Sequence, residues 1–288
     1  MKNILELRQV SKVFPNSEFS LKNITFSLPY GAVLGFIGEN GAGKTTTIGC
    51  ILNTISQYSG TIKLFGKKML DTDADMRENI GVVYDGDNFP TYLSAHQAAA
   101  IMAGLYKQWD DALFHKYLQT FKLSAKQKIK HYSRGMTMKL AIAAALSHHP
   151  QLLILDEATS GLDPIMRDEM LDVFLDFVQQ ENHSILLSSH ITGDLEKIAD
   201  YITFIHNGKL ILSAAKDDLL YNYAVMRCTN SQFQSLILDD VIAYRKRDYQ
   251  VDVLFADGKA AQRRFKDAVI DHVSIDEIML LLIKGVRI

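Results

Sequence analysis

The sequence predicts an α/β fold in which an antiparallel β layer precedes a parallel-sheet core, the core carries a helical insert, and a small α+β appendage ends the chain. Residues 4–13 and 19–28 alternate apolar with polar side chains, as half-buried antiparallel strands do. Residues 32–38 form a nearly continuous apolar run, which is typical of a strand buried on both faces. Residues 94–149 are rich in Ala, Leu, Met and Lys with few β-branched residues, which indicates helices.

Further apolar runs predict the other strands of the core. They lie at residues 80–84, 152–155, 184–188 and 201–205. Each run is short and apolar throughout, as strands covered on both faces are. We therefore expect one domain over residues 1–212, with its helical insert at about 86–149.

The pattern changes near residue 215. The tail contains a helical window at 231–238 and two alternating segments at 241–246 and 249–257. A capping box that begins at Ser274 opens a final helix. These features predict a small α+β accessory domain over residues 215–288, and no chemical motif stands out in it.

Composition limits the classes of function. The chain has 288 residues, 48% of them hydrophobic, and 31 basic against 33 acidic residues for a net charge of -2. This near-neutral balance argues against a nucleic-acid partner. Cys50 and Cys228 match no metal or redox spacing. The N-terminus lacks an apolar signal region, and no window approaches 18 apolar residues, so we expect a cytoplasmic protein that reaches a membrane only through a partner.

The segment GENGAGKT, residues 38–45, satisfies the P-loop pattern between a predicted strand and a helix. In such a loop the backbone N–H groups and the helix N-terminus converge on phosphate oxygens. Lys44 is expected to reach the β- and γ-phosphates, and Thr45 to place its hydroxyl on Mg²⁺. A tight turn needed only for packing is the alternative. The expected nucleotide contacts are Gly38, Glu39, Asn40, Gly41, Ala42, Gly43, Lys44, Thr45 and Thr46.

The run LLIL at 152–155 leads into two adjacent carboxylates, Asp156 and Glu157. Carboxylates at the end of a buried strand are costly unless a cation or hydrogen-bond donors meet them. The segment resembles a Walker B motif, in which Asp156 would face Mg²⁺ and Glu157 would polarise the attacking water. A buried strand that merely ends in a polar turn is the alternative.

Five motifs in a fixed order resemble the ATP-binding cassette of ABC transporters over about residues 4–212. They are the P-loop, YSRGM at 132–136, LLILDEAT at 152–159, SGLD at 160–163 and LLSSH ending at His190. The resemblance implies a P-loop (RecA-like) core and an ATPase that uses ATP and Mg²⁺. It also implies two partners, a second cassette subunit and an integral-membrane permease.

The resemblance assigns further site residues. Ser133 and Gly135, at the start of a helix, would hold the γ-phosphate of the partner's nucleotide, and Asp163 would lie beside the partner's P-loop. His190 matches the switch histidine and would act in catalysis together with Glu157 and Lys44. Phe14 lies where an aromatic ring stacks on adenine. The plain alternatives are a strand-end core aromatic for Phe14 and a structural histidine for His190.

Three positions depart from the family pattern, and the third, Ala158 in place of a proline, only loosens a turn. Asp85 occupies the place of a glutamine that contacts Mg²⁺; it can still offer an oxygen to the metal but adds negative charge. Arg134 occupies the place of a glycine in the signature motif. We expect Arg134 to offset the charge of Asp85 across the closed dimer, the alternative being a solvated arginine.

The YDG, SRGM and SHHP segments resemble the ABC-2-type branch of bacterial exporters, which have a separate six-helix permease and include antimicrobial- and cytolytic-peptide efflux systems. Within the segment 86–110 we expect Phe89 and Tyr92 to contact the permease, while Trp109 fits either that surface or the core. The alternative function is a soluble ABC-type ATPase that acts as a nucleotide-dependent regulator without transport.

Overall fold

The computed structural model describes residues 2–68, 73–86, 88–234, 236, 240–265 and 268–288. The first part of the chain forms β1 (Asn3–Val13), β2 (Ser20–Pro29), β3 (Val33–Ile37), α1 (Lys44–Ile51), β4 (Ser59–Leu64), α2 (Ala74–Glu78), β5 (Ile80–Val83), α3 (Ala95–Leu105), α4 (Asp111–Thr120), α5 (Arg134–Leu146), β6 (Leu152–Asp156), α6 (Pro164–Val178), β7 (Ser184–Ser189), α7 (Thr192–Ile198), β8 (Tyr201–His206) and β9 (Lys209–Ala215). The second part forms α8 (Lys216–Asn222), β10 (Ala224–Cys228), α9 (Asn230–Gln234), β11 (Val241–Lys246), β12 (Val251–Phe255), α10 (Gly258–Arg264), β13 (Val269–His272), α11 (Ile275–Lys284) and β14 (Val286–Arg287).

The first part is organised around a nine-stranded sheet with the order β4-β1-β2-β9-β8-β3-β7-β6-β5. Strands β3, β5, β6, β7 and β8 are parallel, whereas β1 pairs antiparallel with β2 and β4. The antiparallel layer joins the parallel core through Lys22, whose N–H donates to the carbonyl of Gly208 at 2.7 Å. The predicted parallel core and antiparallel layer are confirmed.

The parallel strands hold the site because each is buried and each ends at the same edge of the sheet. All residues of β3, β6 and β7 are buried, as the uninterrupted apolar runs predict. The carboxyl ends of these three strands are neighbours in the sheet. The residues that follow these strands therefore lie close together. Parallel sheets bind their ligands at this edge, beyond the carboxyl ends of the strands.

The segment predicted to be helical contains α3, α4 and α5. Side-chain caps begin each helix: Ser94 for α3, Asp110 for α4 and Ser133 for α5. The ring of Trp109 lies 5.2 Å from that of Phe114, so Trp109 packs inside the insert. No helix in the described part of the chain is long and apolar enough to cross a bilayer.

The second part contains an antiparallel sheet with the order β13-β10-β12-β11-β14. Helix α11 begins at the predicted capping box, in which Ser274 accepts from the N–H of Glu277. Of the predicted helical window 231–238, residues 231–234 lie in α9, and residues 235, 237 and 238 lie outside the described residues. The α+β character of the appendage is confirmed. Cys50 and Cys228 are both buried free thiols.

The two parts share buried apolar contacts along α7. Leu195 and Ile198 of α7 belong to the same buried cluster as Ile278 and Leu281 of α11. In addition, the carboxylate of Glu196 in α7 accepts a hydrogen bond of 2.9 Å from the N–H of Ile275, the first residue of α11. The appendage is therefore anchored to the helix that follows His190.

Candidate nucleotide-binding and hydrolysis site

The loop between β3 and α1 needs glycine at two of its positions. A Cβ atom on Gly38 would lie 2.7 Å from the carbonyl oxygen of Ile205, so only glycine fits there without movement. Gly43 has φ of 114°, a left-handed conformation that glycine adopts without strain, and it directly precedes α1. These constraints hold the loop over the helix N-terminus, as the P-loop pattern predicts.

Lys44 supplies the cation that the carboxylates at the end of β6 require. Its side chain is 6% exposed, and its Nζ donates to the carbonyl of Gly38 at 2.6 Å. The same Nζ lies 3.0 Å from Oε1 of Glu157. Because a buried charge is stable only when it is paired, the two groups compensate each other inside the site.

Asp156 is held by two hydroxyl groups. The Oγ1 of Thr45, in the first turn of α1, donates to its Oδ2 at 2.7 Å, and the hydroxyl of Ser188 in β7 donates to its Oδ1. Hydroxyl and carboxylate oxygens are the ligands that Mg²⁺ prefers. Burial and the charge of Asp156 raise the pKa of the nearby Tyr84 phenol, which therefore stays neutral.

Glu157 adopts a left-handed backbone conformation, with φ of 54°, which is uncommon for a residue with a Cβ atom. Its N–H donates to the carbonyl of Ser188 at 3.1 Å, and its Oε2 lies 2.6 Å from Nδ1 of His190. The carboxylate is thus placed between Lys44 and His190, directly beside the P-loop. Three residues from three separate motifs meet as the sequence predicts.

The space beside these residues is a cavity of about 420 Å³. Its described lining is formed by Phe19, Glu39, Asn40, Gly41, Gly43, Lys44, Thr45, Thr46, Asp85, Asp156 and Glu157. Of the remaining loop residues, Ala42 is buried beneath the loop. Phe14 does not belong to this lining; its ring lies 6.4 Å from the ring of Phe19, which does.

Ser133, Gly135 and Asp163 form a separate group at the starts of two helices. Ser133 caps α5 by accepting from the N–H of Met136, and Asp163 caps α6 by accepting from the N–H groups of Ile165 and Met166. Both capping residues are exposed, whereas Gly135 is buried. A Cβ atom on Gly135 would overlap the sulfur of Met166. Within one chain, none of the three residues lines the cavity that contains Lys44.

Asp85 and Arg134 form an ion pair within one chain, with Nη2 of Arg134 2.8 Å from Oδ1 of Asp85. The sequence led us to expect this compensation across a dimer, and the structure differs. The fold places the loop after β5 next to the start of α5, so the two opposite charges meet inside the chain. Arg134 is therefore paired rather than simply solvated.

Two residues of the site were missed from the sequence. Ser188 supports both Asp156 and Glu157, and the only available signal was its position two residues before His190 at the end of a buried strand. Phe19 lines the cavity, but nothing in a single sequence distinguishes it from the neighbouring Phe14.

Comparison with known proteins identifies the family. The family model described as "ABC transporter" matches residues 21–160. The bacitracin transport ATP-binding protein BcrA of Bacillus licheniformis is 35% identical over 224 residues, which cover 76% of this chain and 72% of that protein. BcrA of Enterococcus faecalis is 32% identical and covers 73% of this chain and 69% of that protein.

Solved structures show the same fold. One described as the ATP binding subunit of an ABC transporter is 26% identical, with a TM-score of 0.68 over 82% of this chain and 96% of that chain. A dimeric ATP-binding cassette bound to ADP and Pi is 19% identical, with a TM-score of 0.65 over 73% of this chain and 98% of that chain, and supports the fold alone. With the P-loop, the paired carboxylates and His190 in place, the chain belongs to the family of ABC transporter ATP-binding subunits and is an ATPase.

Proposed function

We propose that this ATPase powers export through a separate membrane permease, with antimicrobial peptides as cargo. The observation that carries the catalytic part is that Glu157, which lines the nucleotide cavity, contacts both Lys44 and His190. The cargo is supported by the two relatives whose names state bacitracin transport. Because the permease spans the membrane, the subunit would bind at its cytoplasmic face.

The chain's own residues account for phosphate binding and for activation of water. Lys44 and the N–H groups of the P-loop would hold the β- and γ-phosphates, and Phe19, which lines the cavity, would stack on the adenine with Phe14 beside it. Glu157 would accept a proton at its carboxylate from the attacking water, and His190 would donate to the γ-phosphate.

Mg²⁺ fits the oxygen ligands that this cavity offers. Thr45 and Asp156 would hold it, with Asp85 as a further oxygen ligand, and the bound ion neutralises charge on the phosphates. The described residues contain no group of three His, Cys, Asp or Glu side chains arranged to hold a metal ion. A site with few protein ligands suits Mg²⁺, which retains water and phosphate ligands.

We further propose that two cassettes meet head to tail, with each nucleotide held between them. Ser133, Gly135 and Asp163 lie apart from the cavity of their own chain, so a partner's nucleotide is the ligand that they can reach. The exposed capping positions of α5 and α6 support this arrangement, because helix N-termini bind anions. The second cassette would be a copy of this chain or a related subunit.

The permease would contact the insert near Tyr92, whose side chain is 71% exposed. Phe89 is half-buried against the core beside it, and a neighbouring cavity of about 480 Å³ is lined in part by Thr91 and Tyr132. An exposed aromatic residue beside a cavity is a typical anchor of a protein interface. Trp109 packs against Phe114 inside the insert and is not assigned to this surface.

The first experiment measures ATP hydrolysis by the purified chain and its Glu157→Gln variant, with the molecular mass determined in ATP and Mg²⁺. We expect the variant to lose activity by at least about 100-fold and to form a dimer only with nucleotide. A monomeric variant at every concentration up to its solubility limit would refute head-to-tail pairing. Activity retained in the variant would refute the role of Glu157.

A second experiment tests export. The chain is expressed with its permease in sensitive bacteria, and survival in bacitracin is compared for the wild type and for Tyr92→Ala. We expect the variant to keep its ATPase activity in solution but to lose protection and co-purification with the permease. Protection against other peptides but not bacitracin would correct the cargo, and no protection at all would refute peptide export.

A further inference from the structure

The ion pair between Asp85 and Arg134 connects the two halves of the nucleotide machinery within one chain. Asp85 follows β5 of the core and lines the nucleotide cavity, whereas Arg134 is the first residue of α5 in the insert. The two side chains are 47% and 54% exposed, respectively. A half-exposed pair contributes little to stability, so it can be exchanged for a stronger partner.

Arg134 lies at a position suited to a phosphate. It directly follows Ser133, the capping residue of α5, and the N-terminus of that helix adds partial positive charge. On its other side the guanidinium packs against Gly161, where a Cβ atom would lie 2.7 Å from Nη1. Arg134 is thus held between the loop of Asp85 and the turn that leads to Asp163.

Asp85 lies among other acidic groups. The described lining of the nucleotide cavity contains four carboxylates, those of Glu39, Asp85, Asp156 and Glu157, and one lysine, Lys44. A further carboxylate repels a triphosphate unless a cation compensates it. In the single chain that cation is Arg134, which reaches Asp85 from outside the cavity.

We propose that Asp85 pairs with Arg134 only while the chain is not closed against its partner. When two chains close, this intrachain pair is replaced by a contact between Arg134 and the γ-phosphate of the nucleotide held by the partner. The proposal rests on the head-to-tail arrangement. A guanidinium donates two parallel hydrogen bonds to phosphate, which makes phosphate the stronger partner. The exchange also releases the carboxylate of Asp85 toward the metal in its own cavity.

The exchange predicts effects of opposite sign for the two members of the pair. Arg134→Gln removes the phosphate contact and should weaken the closed dimer. Asp85→Asn keeps an oxygen for the metal but loses the charge that retains Arg134, and it should strengthen the dimer. A pair that only fixes the orientation of α5 would instead respond to both substitutions in the same direction.

The test measures the dissociation constant of the ATP-induced dimer by analytical ultracentrifugation, with Glu157→Gln as the parent. We expect Arg134→Gln to raise this constant about tenfold and Asp85→Asn to lower it about threefold. The dissociation constant of Arg134→Lys should lie between those of the parent and of Arg134→Gln. Asp75→Asn is the matched control, because it removes another exposed ion pair, that with Lys107 at 2.9 Å, and should change nothing.

The remaining outcomes separate the two proposals. A parent that stays monomeric in ATP refutes head-to-tail pairing, and the exchange with it. A parent that dimerises while Asp85→Asn and Arg134→Gln weaken the dimer equally refutes only the exchange. A dimer that neither substitution changes also refutes it, since Arg134 would then contact nothing at the interface.

Discussion

Asp156 and Ser188 are direct partners in the parallel pairing of β6 with β7, and the hydroxyl of Ser188 donates to the carboxylate of Asp156. The carbonyl oxygen of Ser188 also accepts a hydrogen bond of 3.1 Å from the N–H of Glu157, the residue that follows Asp156. Ser188 therefore holds both the carboxylate assigned to the metal and the backbone of the residue assigned to water. Its place in the sheet, directly opposite Asp156, gives it this role.

Ser188→Ala should lower kcat for ATP hydrolysis by about tenfold or more, because groups that orient a metal ligand affect activity on that scale. Steady-state kinetics across Mg²⁺ concentrations would measure this change, and the variant should need more Mg²⁺ for half-maximal rate. The neighbouring Ser189→Ala is the control, since among the described residues the hydroxyl of Ser189 forms hydrogen bonds with the backbone of Ile191 and with no group of the site. Equal effects of the two substitutions would contradict the assigned role.

Phe19→Ala should weaken ATP binding by about threefold to tenfold, the range expected from loss of one aromatic stacking contact. Phe14→Ala should have a smaller effect, because the ring of Phe14 contacts Phe19 and does not line the cavity. Isothermal titration calorimetry with ATP and with inorganic pyrophosphate separates the contribution of the base to binding from that of the phosphates. If Phe14→Ala weakened ATP binding more than Phe19→Ala, the ring assigned to the base would be the wrong one.

Stability should fall below neutral pH because of His148. Burial lowers the pKa of His148, and its Nδ1 lies 3.0 Å from the carbonyl of Glu78 while its ring stacks on Tyr106. The unfolded chain therefore binds more protons than the folded chain as the pH falls through about 6.5, and the free energy of unfolding decreases. Uptake of one proton on unfolding lowers the free energy of unfolding by at most about 1.4 kcal/mol per pH unit.

Urea denaturation between pH 7.5 and 5.5 measures this slope. His148→Asn keeps a donor for the Glu78 carbonyl and should flatten the slope without abolishing it, because burial lowers the pKa of His183 as well. Glu78, Tyr106 and His149 are the titratable neighbours of His148, and all three remain in the variant. An unchanged slope in the variant would assign the pH dependence to other groups.

Glu196→Ala should destabilise the protein by about 1 kcal/mol, as loss of a helix-capping acceptor does. Glu196 accepts from the N–H of Ile275 at 2.9 Å and so joins α7 to the start of α11. Hydrogen exchange should show faster exchange at the start of α11 and in α7. Glu196→Gln, which retains an acceptor oxygen, should restore most of the protection; if it did not, charge rather than capping would explain the loss.

Much of the fold was predictable because the apolar pattern of the strands and the motifs that follow them indicate the same elements. The buried runs before Gly38 and Asp156 identify core strands, and the carboxyl ends of parallel strands must meet. The strands β4, β10 and β13 were not predicted, since segments of six, five and four residues are too short to show a reliable period. In each case pairing with a distant strand decides the structure.

The site shows the same division. The contacts among Lys44, Glu157 and His190 follow from three motifs, but the bond between Asp156 and Ser188 joins residues 32 positions apart and depends on the order of strands. The pairing of Asp85 with Arg134 follows from opposite charge, whereas its occurrence inside one chain depends on where the insert packs. The packing of the insert against the core cannot be recognised from a single sequence.

Anchoring of the tail to α7 affects how a shortened protein would behave. A fragment that ends at residue 215 would lack α11, and Leu195 and Ile198 would lose the apolar neighbours that cover them. Such a fragment should aggregate, and the helix directly after His190 should fray. Low ATPase activity of the truncated protein would then reflect displacement of His190, to which we assign a role in catalysis, rather than loss of a regulatory signal.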